Sequence, residues 1–223
     1  MGRFIPDTVV SFAAGGRTLA MPRSQHGYDI RLARTHFQQN VVNRLVRQMY
    51  AWRGYAAQPP AHAPHDPNQA TLAVWDDDDV VATLTVGCDS ANGLLADGLY
   101  AQELAGLRHP GRLVCEVTRL AVHPDYSSWE MLSALFQTAL RYGKEFFQAS
   151  DAVIEVNPRH VRFYRQRFGF RQIGELRRCQ RVNAPAVLLH QTLDSLAASG
   201  KFVGMPLEIP DEWSPPGLLA QAS

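Results

Sequence analysis

One stretch constrains this chain more than any other. Residues 112–126 read RLVCEVTRLAVHPDY, a β-forming run from Leu113 to Val122 that stops at His123-Pro124. Proline lacks the N–H that a central ladder needs, so the strand ends there. The run is too apolar for a surface strand. Two-residue alternation puts Val114, Glu116, Thr118, Leu120 and Val122 on one face. Leu113, Cys115, Val117, Arg119 and Ala121 fall on the other. An acid and a base therefore lie close together in an apolar strand, where charge is costly unless paired or used. They are either a structural pair bonded to neighbouring strands or working groups. Strict alternation holds Arg119 away from Glu116 unless a β-bulge intervenes.

The next segments follow a regular order. Residues 127–148 predict an amphipathic helix, with Leu132, Leu135, Phe136, Ala139, Leu140, Gly143 and Phe147 at helical spacing. Residues 152–156, AVIEV, predict a second buried strand ended by Asn157-Pro158. A short helix over 159–167 is closed by Gly169. Upstream, 28–50 has helical spacing through Ile30, Ala33, Phe37, Val41, Leu45 and Met49. Residues 71–75 and 80–86 predict two strands joined by an Asp-rich hairpin turn at 76–79. Leu94, Leu95, Leu99, Tyr100, Leu104 and Leu107 mark 92–111 as an apolar helical insertion, which either covers the sheet or walls an acyl pocket. Residues 186–193 predict a last strand.

The motif LAVHPDY, a helix, and then IEVNPRHVRFYRQRFGFRQIG resembles the core of the GNAT superfamily of N-acyltransferases. Glu116-Val117-Thr118-Arg119 resembles the E-x-[ST]-R strand of acyl-homoserine lactone synthases and of long-chain N-acyl amino acid synthases of the FeeM type. The resemblance implies an α/β (α+β) GNAT fold: a central mixed, twisted sheet with a splayed parallel strand pair and helices on both faces. It implies a domain over 25–195, with an N-terminal arm at 1–24 and a Pro-rich tail at 196–223. It also implies an acyltransferase that joins an acyl group to the amine of an amino acid. The acyl group would be long-chain and would come from the phosphopantetheine thioester of an acyl carrier protein. The competing expectations are a lactone synthase, an acetyl-coenzyme A-dependent acetyltransferase, and a non-catalytic acyl- or carrier-binding module.

The same resemblance implies roles for single residues. Glu116 would be the base, Tyr164 the acid near the sulfur, and Arg119 the partner of the acceptor's carboxylate. The pantetheine arm would lie along Leu120, Ala121 and Val122. Its phosphate would meet the helix start at Ser127 and Ser128, where free N–H groups favour an anion. Thr118, Asn157 and Arg159 would support the donor. The family's glycine-rich phosphate loop is replaced by Tyr126-Ser127-Ser128-Trp129-Glu130-Met131. Without glycine the backbone closes less readily on a pyrophosphate. That favours a carrier-protein arm, with its single phosphodiester, over coenzyme A. Arg159, His160, Arg162, Arg165 and Arg167, with Arg141 and Lys144 of the preceding helix, would face the acidic carrier.

Composition excludes other classes. A net charge of +1 lacks the basic excess of non-specific nucleic-acid binding. No apolar run is long enough for a membrane span, although a long-chain product could bring the protein to a membrane. Three widely spaced cysteines give neither a metal pattern nor a disulfide framework, which fits a reducing cytoplasm. His62 and His65, separated by prolines, form no rigid ligand face. No metal and no tightly bound cofactor are expected.

Overall fold

The computed structural model describes residues 28–55 and 66–198. The expected N-terminal arm, His62, His65 and nearly all of the Pro-rich tail lie outside the described residues. The elements in order are β1 (Asp29–Leu32), α1 (His36–Trp52), β2 (Gln69–Asp76), β3 (Asp79–Cys88), α2 (Asp97–Ala105) and β4 (Val114–Val122). They continue with α3 (Trp129–Arg141), β5 (Asp151–Val156), α4 (Val161–Phe168), β6 (Arg171–Gln172), β7 (Arg177–Cys179), β8 (Ala184–Thr192) and α5 (Leu193–Ala198).

The eight strands form one sheet in the order β1-β2-β3-β4-β5-β8-β6, with β7 alongside β8. Every pairing is antiparallel except β4 with β5. This is the expected mixed sheet, and both faces carry helices. On one face α1 buries Val42, Leu45, Val46 and Met49 against Ala73, Trp75 and Ala121. The insertion joins it there: Tyr100 and Leu104 of α2 pack on Val114, Val153 and Leu188. The insertion therefore covers the sheet face. On the other face α3, α4 and α5 share a larger core with Leu84, Val86, Cys115 and Val117.

Two boundaries differ from the sequence pattern. The helix expected over 28–50 begins at His36, and residues 29–32 form an edge strand on β2. Thr35 caps the helix by accepting from the Gln38 N–H, while the Gln38 side chain accepts from the Thr35 N–H. That reciprocal pair satisfies two end donors and fixes the start. The helix expected over 127–148 begins at Trp129 with Ser128 as its cap, and after Arg141 it widens into a π-turn at Tyr142–Phe146. The Asp-rich segment is a hairpin turn, with Asp77 at φ +52°.

Candidate active site

A β-bulge in β4 builds the site. Thr85 of β3 pairs with Thr118, but Thr83 pairs with Ala121. Three steps along β4 match two along β3, so β4 carries one extra residue. Arg119 has φ +56°, in the left-handed region. The insertion resets alternation. Glu116 and Thr118 face α1 and α2, and beyond the bulge Arg119 and Ala121 face the same way. Leu120 and Val122 instead join the α3 core. Arg119 thus comes to the face of Glu116, which strict alternation forbids.

The bulge also coincides with the parting of the parallel strands. β4 and β5 pair from Val114↔Asp151 to Val117↔Ile154, and then the ladder stops. β4 runs on to Val122 and β5 to Val156. The strands part after Val117, just before the extra residue of the bulge twists β4 away. A cavity of about 160 Å³ occupies the opening. Thr118 and Arg119 line it from β4, Glu155 from β5, and Tyr50 from α1. Cys179 and Arg181 close its far side, and Leu95 of the insertion forms part of its wall.

The charges are unevenly balanced. Arg119 is buried, 6% exposed. Its Nη2 donates to Asn43 Oδ1 in α1, and its Nε has no partner among the described residues. No carboxylate pairs with it among those residues. Burial pulls its guanidinium below the usual arginine range, and Arg47 adds to that. Arg181, by contrast, is paired with a carboxylate. It donates to the Leu95 carbonyl at 2.6 Å and to Glu155 Oε2 at 2.8 Å.

Glu116 stands just behind this wall. Its carboxylate accepts from the Leu95 N–H at 2.7 Å and from the Ala96 N–H at 3.1 Å. Burial pushes its pKa up to about 7, against the opposing pull of those two N–H groups and of Arg181. Glu116 is absent from the cavity lining; Leu95, which it holds, is present.

Comparison with known proteins places this geometry. The family of N-acyl amino acid synthases typified by FeeM matches residues 41–192, more than half of the chain. This chain belongs to that family. The FeeM structure, an N-acyl amino acid synthase from uncultured soil microbes, is 29% identical with a TM-score of 0.69. The match covers 76% of this chain and 98% of FeeM. An acyl-CoA N-acyltransferase from Pseudomonas aeruginosa (14% identity, TM-score 0.55) and Escherichia coli ElaA (11%, 0.54) share the fold, each match covering 74% of this chain. They cover 99% and 98% of their own chains. A search of curated proteins returns no match. The chain is therefore an acyltransferase of the N-acyl amino acid synthase type on a GNAT fold.

In this FeeM-type synthase the remaining expected site residues fall into three groups. Thr118 and Asn157 line the cavity with Arg119. Arg159 stands at the rim and donates to the Tyr55 hydroxyl at 2.9 Å, linking the end of α1 to the turn after β5. Asn157 Oδ1 accepts from the Arg159 N–H, shaping that turn. Leu120, Ala121 and Val122 form the β4 edge beyond the ladder. At α3, Ser128 Oγ accepts from the Met131 N–H and bonds the Tyr28 hydroxyl, while Ser127 ends the preceding turn. Tyr164 lies away from the cavity lining. It is 2% exposed among Phe136, Phe163, Phe168 and Phe170, and burial pushes its phenol up.

Sequence reasoning left Glu155, Cys179 and Arg181 without site roles, and gave none to Tyr50 or Leu95 individually. Tyr50 is raised to about 12, chiefly by burial, and it senses Arg119, Tyr55, Arg181 and Glu155. It lines the cavity, and Tyr164 does not. Glu155 was visible as a lone acid in a buried strand ending at Asn-Pro, the same kind of signal that singled out Glu116.

Proposed function

We propose that this synthase transfers a long-chain acyl group from an acyl carrier protein thioester to the α-amine of an amino acid. One observation carries the acceptor half: Arg119 is a buried guanidinium facing the cavity, without a carboxylate partner among the described residues. A charge in that position is expensive until an anion meets it. An amino acid's carboxylate supplies that anion, and the planar guanidinium can hold it by two hydrogen bonds. Bound so, the amine lies near the opening between β4 and β5.

The donor thread lies along that opening. The β4 edge at Leu120, Ala121 and Val122, no longer paired with β5, offers the pantetheine a strand to bond, and an N–H there stabilises the developing oxyanion. Thr118 and Asn157 bond the arm. Its phosphate meets the start of α3 at Ser127 and Ser128. Arg167, whose guanidinium lies 4.7 Å from the Trp129 ring, adds a positive charge nearby. Among the described residues none from 124 to 131 has positive φ. That backbone forms no phosphate-wrapping nest, which favours one phosphodiester over a pyrophosphate. Arg159, Arg162 and Arg165 turn a basic edge toward an acidic carrier. For the acyl tail, Val117 adjoins a small apolar cavity of about 30 Å³ among Phe136, Phe168 and Leu193. A long chain enters it only as these side chains repack.

In this reading Glu116 serves through the Leu95 turn that it holds, and Tyr164 packs the core behind the thioester. The test offers purified protein with matched acyl carrier protein and acyl-coenzyme A donors. The acceptors are amino acids and their decarboxylated amines, with products identified by mass spectrometry. The expected result is N-acyl amino acid, made faster from the carrier-bound donor and hardly at all from the decarboxylated amine. Equal use of both acceptors would overturn the Arg119 assignment; faster turnover with coenzyme A would overturn the donor.

A further inference from the structure

We infer that Glu155 receives the acceptor's ammonium and takes its first proton, and that Glu116 is a positioning residue acting through Glu155. This rests on the amino acid reading above. An amino acid reaches the site as a zwitterion, so a cavity with a free cation also needs an accessible anion. Glu155 is the carboxylate that lines this cavity. Its side chain is 12% exposed, it sits on β5 beyond the end of the parallel ladder, and Arg119 faces the same cavity from β4. The two charges thus flank the opening, one from each parted strand.

A continuous chain of bonds ties the two acids together. Glu116 accepts from the Leu95 N–H, the Leu95 carbonyl accepts from Arg181, and Arg181 donates to Glu155. Each link is 2.8 Å or shorter. Glu116 does not line this cavity, so its influence on the reaction travels along this chain. Glu155 keeps lone pairs beyond the bond from Arg181. The charged and titratable groups facing it are Cys179 from β7, Arg181 from the β7–β8 turn, Tyr50 from α1, Glu116 from β4 and Tyr100 from α2. Of these, the Cys179 thiol is pushed up by burial first and by Glu155 second.

The step balances simply. The ammonium gives one proton to Glu155 and becomes an amine. Its nitrogen attacks the thioester carbon, the N–C bond forms and the C–S bond breaks. The departing thiolate takes the second nitrogen proton, leaving an amide and a thiol. Glu155 then returns its proton to water.

The experiment compares pH profiles of kcat/KM for wild type, Glu155→Gln, Glu155→Asp and Glu116→Gln. At neutral pH Glu155→Gln is expected to fall about 10²–10⁴-fold, the usual worth of a positioned base. The defect shrinks as pH rises and the acceptor sheds its proton unaided. Glu155→Asp keeps a carboxylate for Arg181 but draws it back by one methylene, so it shows a smaller defect with the same pH trend. It also carries the test if the Gln variant does not fold. Glu116→Gln is expected to show a defect that does not shrink with pH. A pH-independent defect at both Glu155 variants, or none at either, overturns the inference. Absence of any N-acyl amino acid from wild type would instead sink the functional reading itself.

Discussion

Arg119→Gly tests whether this arginine is kept for a ligand at a cost to the fold. Replacing it removes a non-glycine residue from φ +56°, which relieves about 1–2 kcal/mol. It also removes a buried, unpartnered Nε, worth roughly 1–3 kcal/mol. Against this stand three buried methylenes at about 0.8 kcal/mol each and the charged bond to Asn43 at about 1.5–3 kcal/mol. The space left opens onto the cavity and fills with water, so no empty void is created. The sums nearly cancel, and Arg119→Gly is expected to lie within about 2 kcal/mol of wild type. For a chain of this size that is a shift of no more than about 8 °C. Removing one partner of a true buried ion pair costs about 3–5 kcal/mol instead. Thermal unfolding with and without amino acid supplies the assay. At a hundredfold excess over Kd the amino acid adds about 2.7 kcal/mol to wild type, and it should add almost nothing to the variant. Turnover should drop about 30- to 10³-fold in kcat/KM, from losing about 2–4 kcal/mol of charge pairing. A variant destabilised by more than about 4 kcal/mol, or one still stabilised by the amino acid, would refute the reasoning.

Three further outcomes are expected. Glu116 binds a proton in the folded state up to about pH 7, whereas an unfolded glutamate releases it near 4.5. Stability therefore falls as pH rises across that window, by about 3 kcal/mol. Chemical denaturation of Glu116→Gln should lose most of that slope, and an unchanged slope would show that Glu116 is ionised throughout. Asp151 is fully buried, and burial alone would raise its pKa. The bonds from Arg112, Ser150 and His190 outweigh this and lower it. The stability it contributes is present above the usual carboxylate range and is lost as pH falls through its lowered folded value. Asp151→Ala should cost about 1–3 kcal/mol by taking the buried acceptor from Ser150 and the half-buried His190, and no loss in urea unfolding would contradict this. Gly169 ends α4 at φ +75°, and a Cβ there would meet Gln191 Nε2 at 3.1 Å. Gly169→Ala should cost about 1–2 kcal/mol, and a neutral effect on Tm would show that the turn can rearrange.

Much of this architecture was legible because it rests on local pattern. Apolar runs stopped by His123-Pro124 and Asn157-Pro158 mark β4 and β5, and Gly169 marks the end of α4. The start of α1 was also written locally, in Thr35-x-x-Gln38. There, however, helical spacing at Ile30 and Ala33 competed with it, and only the neighbouring β2 edge decides for a strand. The site was less legible, because its defining contacts are distant in sequence. Arg181 reaches Glu155 across 26 positions and Leu95 across 86. The bulge is harder still to read. Its extra residue is an arginine, which gives none of the signal that glycine gives for positive φ.

That silence in the sequence has a physical cause. A glycine would take the bulge conformation at no steric cost, yet it would bring no charge to the cavity. Arginine takes the same conformation with strain and is then buried without an anion. Both costs fall on the folded state alone, and both are offset when a carboxylate arrives. The single extra residue does three things at once. It sits where the ladder to β5 ends, it turns Arg119 onto the face of Glu116 and Glu155, and it leaves the far edge of β4 open to a thioester thread. Restoring strict alternation would put Arg119 into the apolar α3 core, so the distortion and the chemistry stand or fall together.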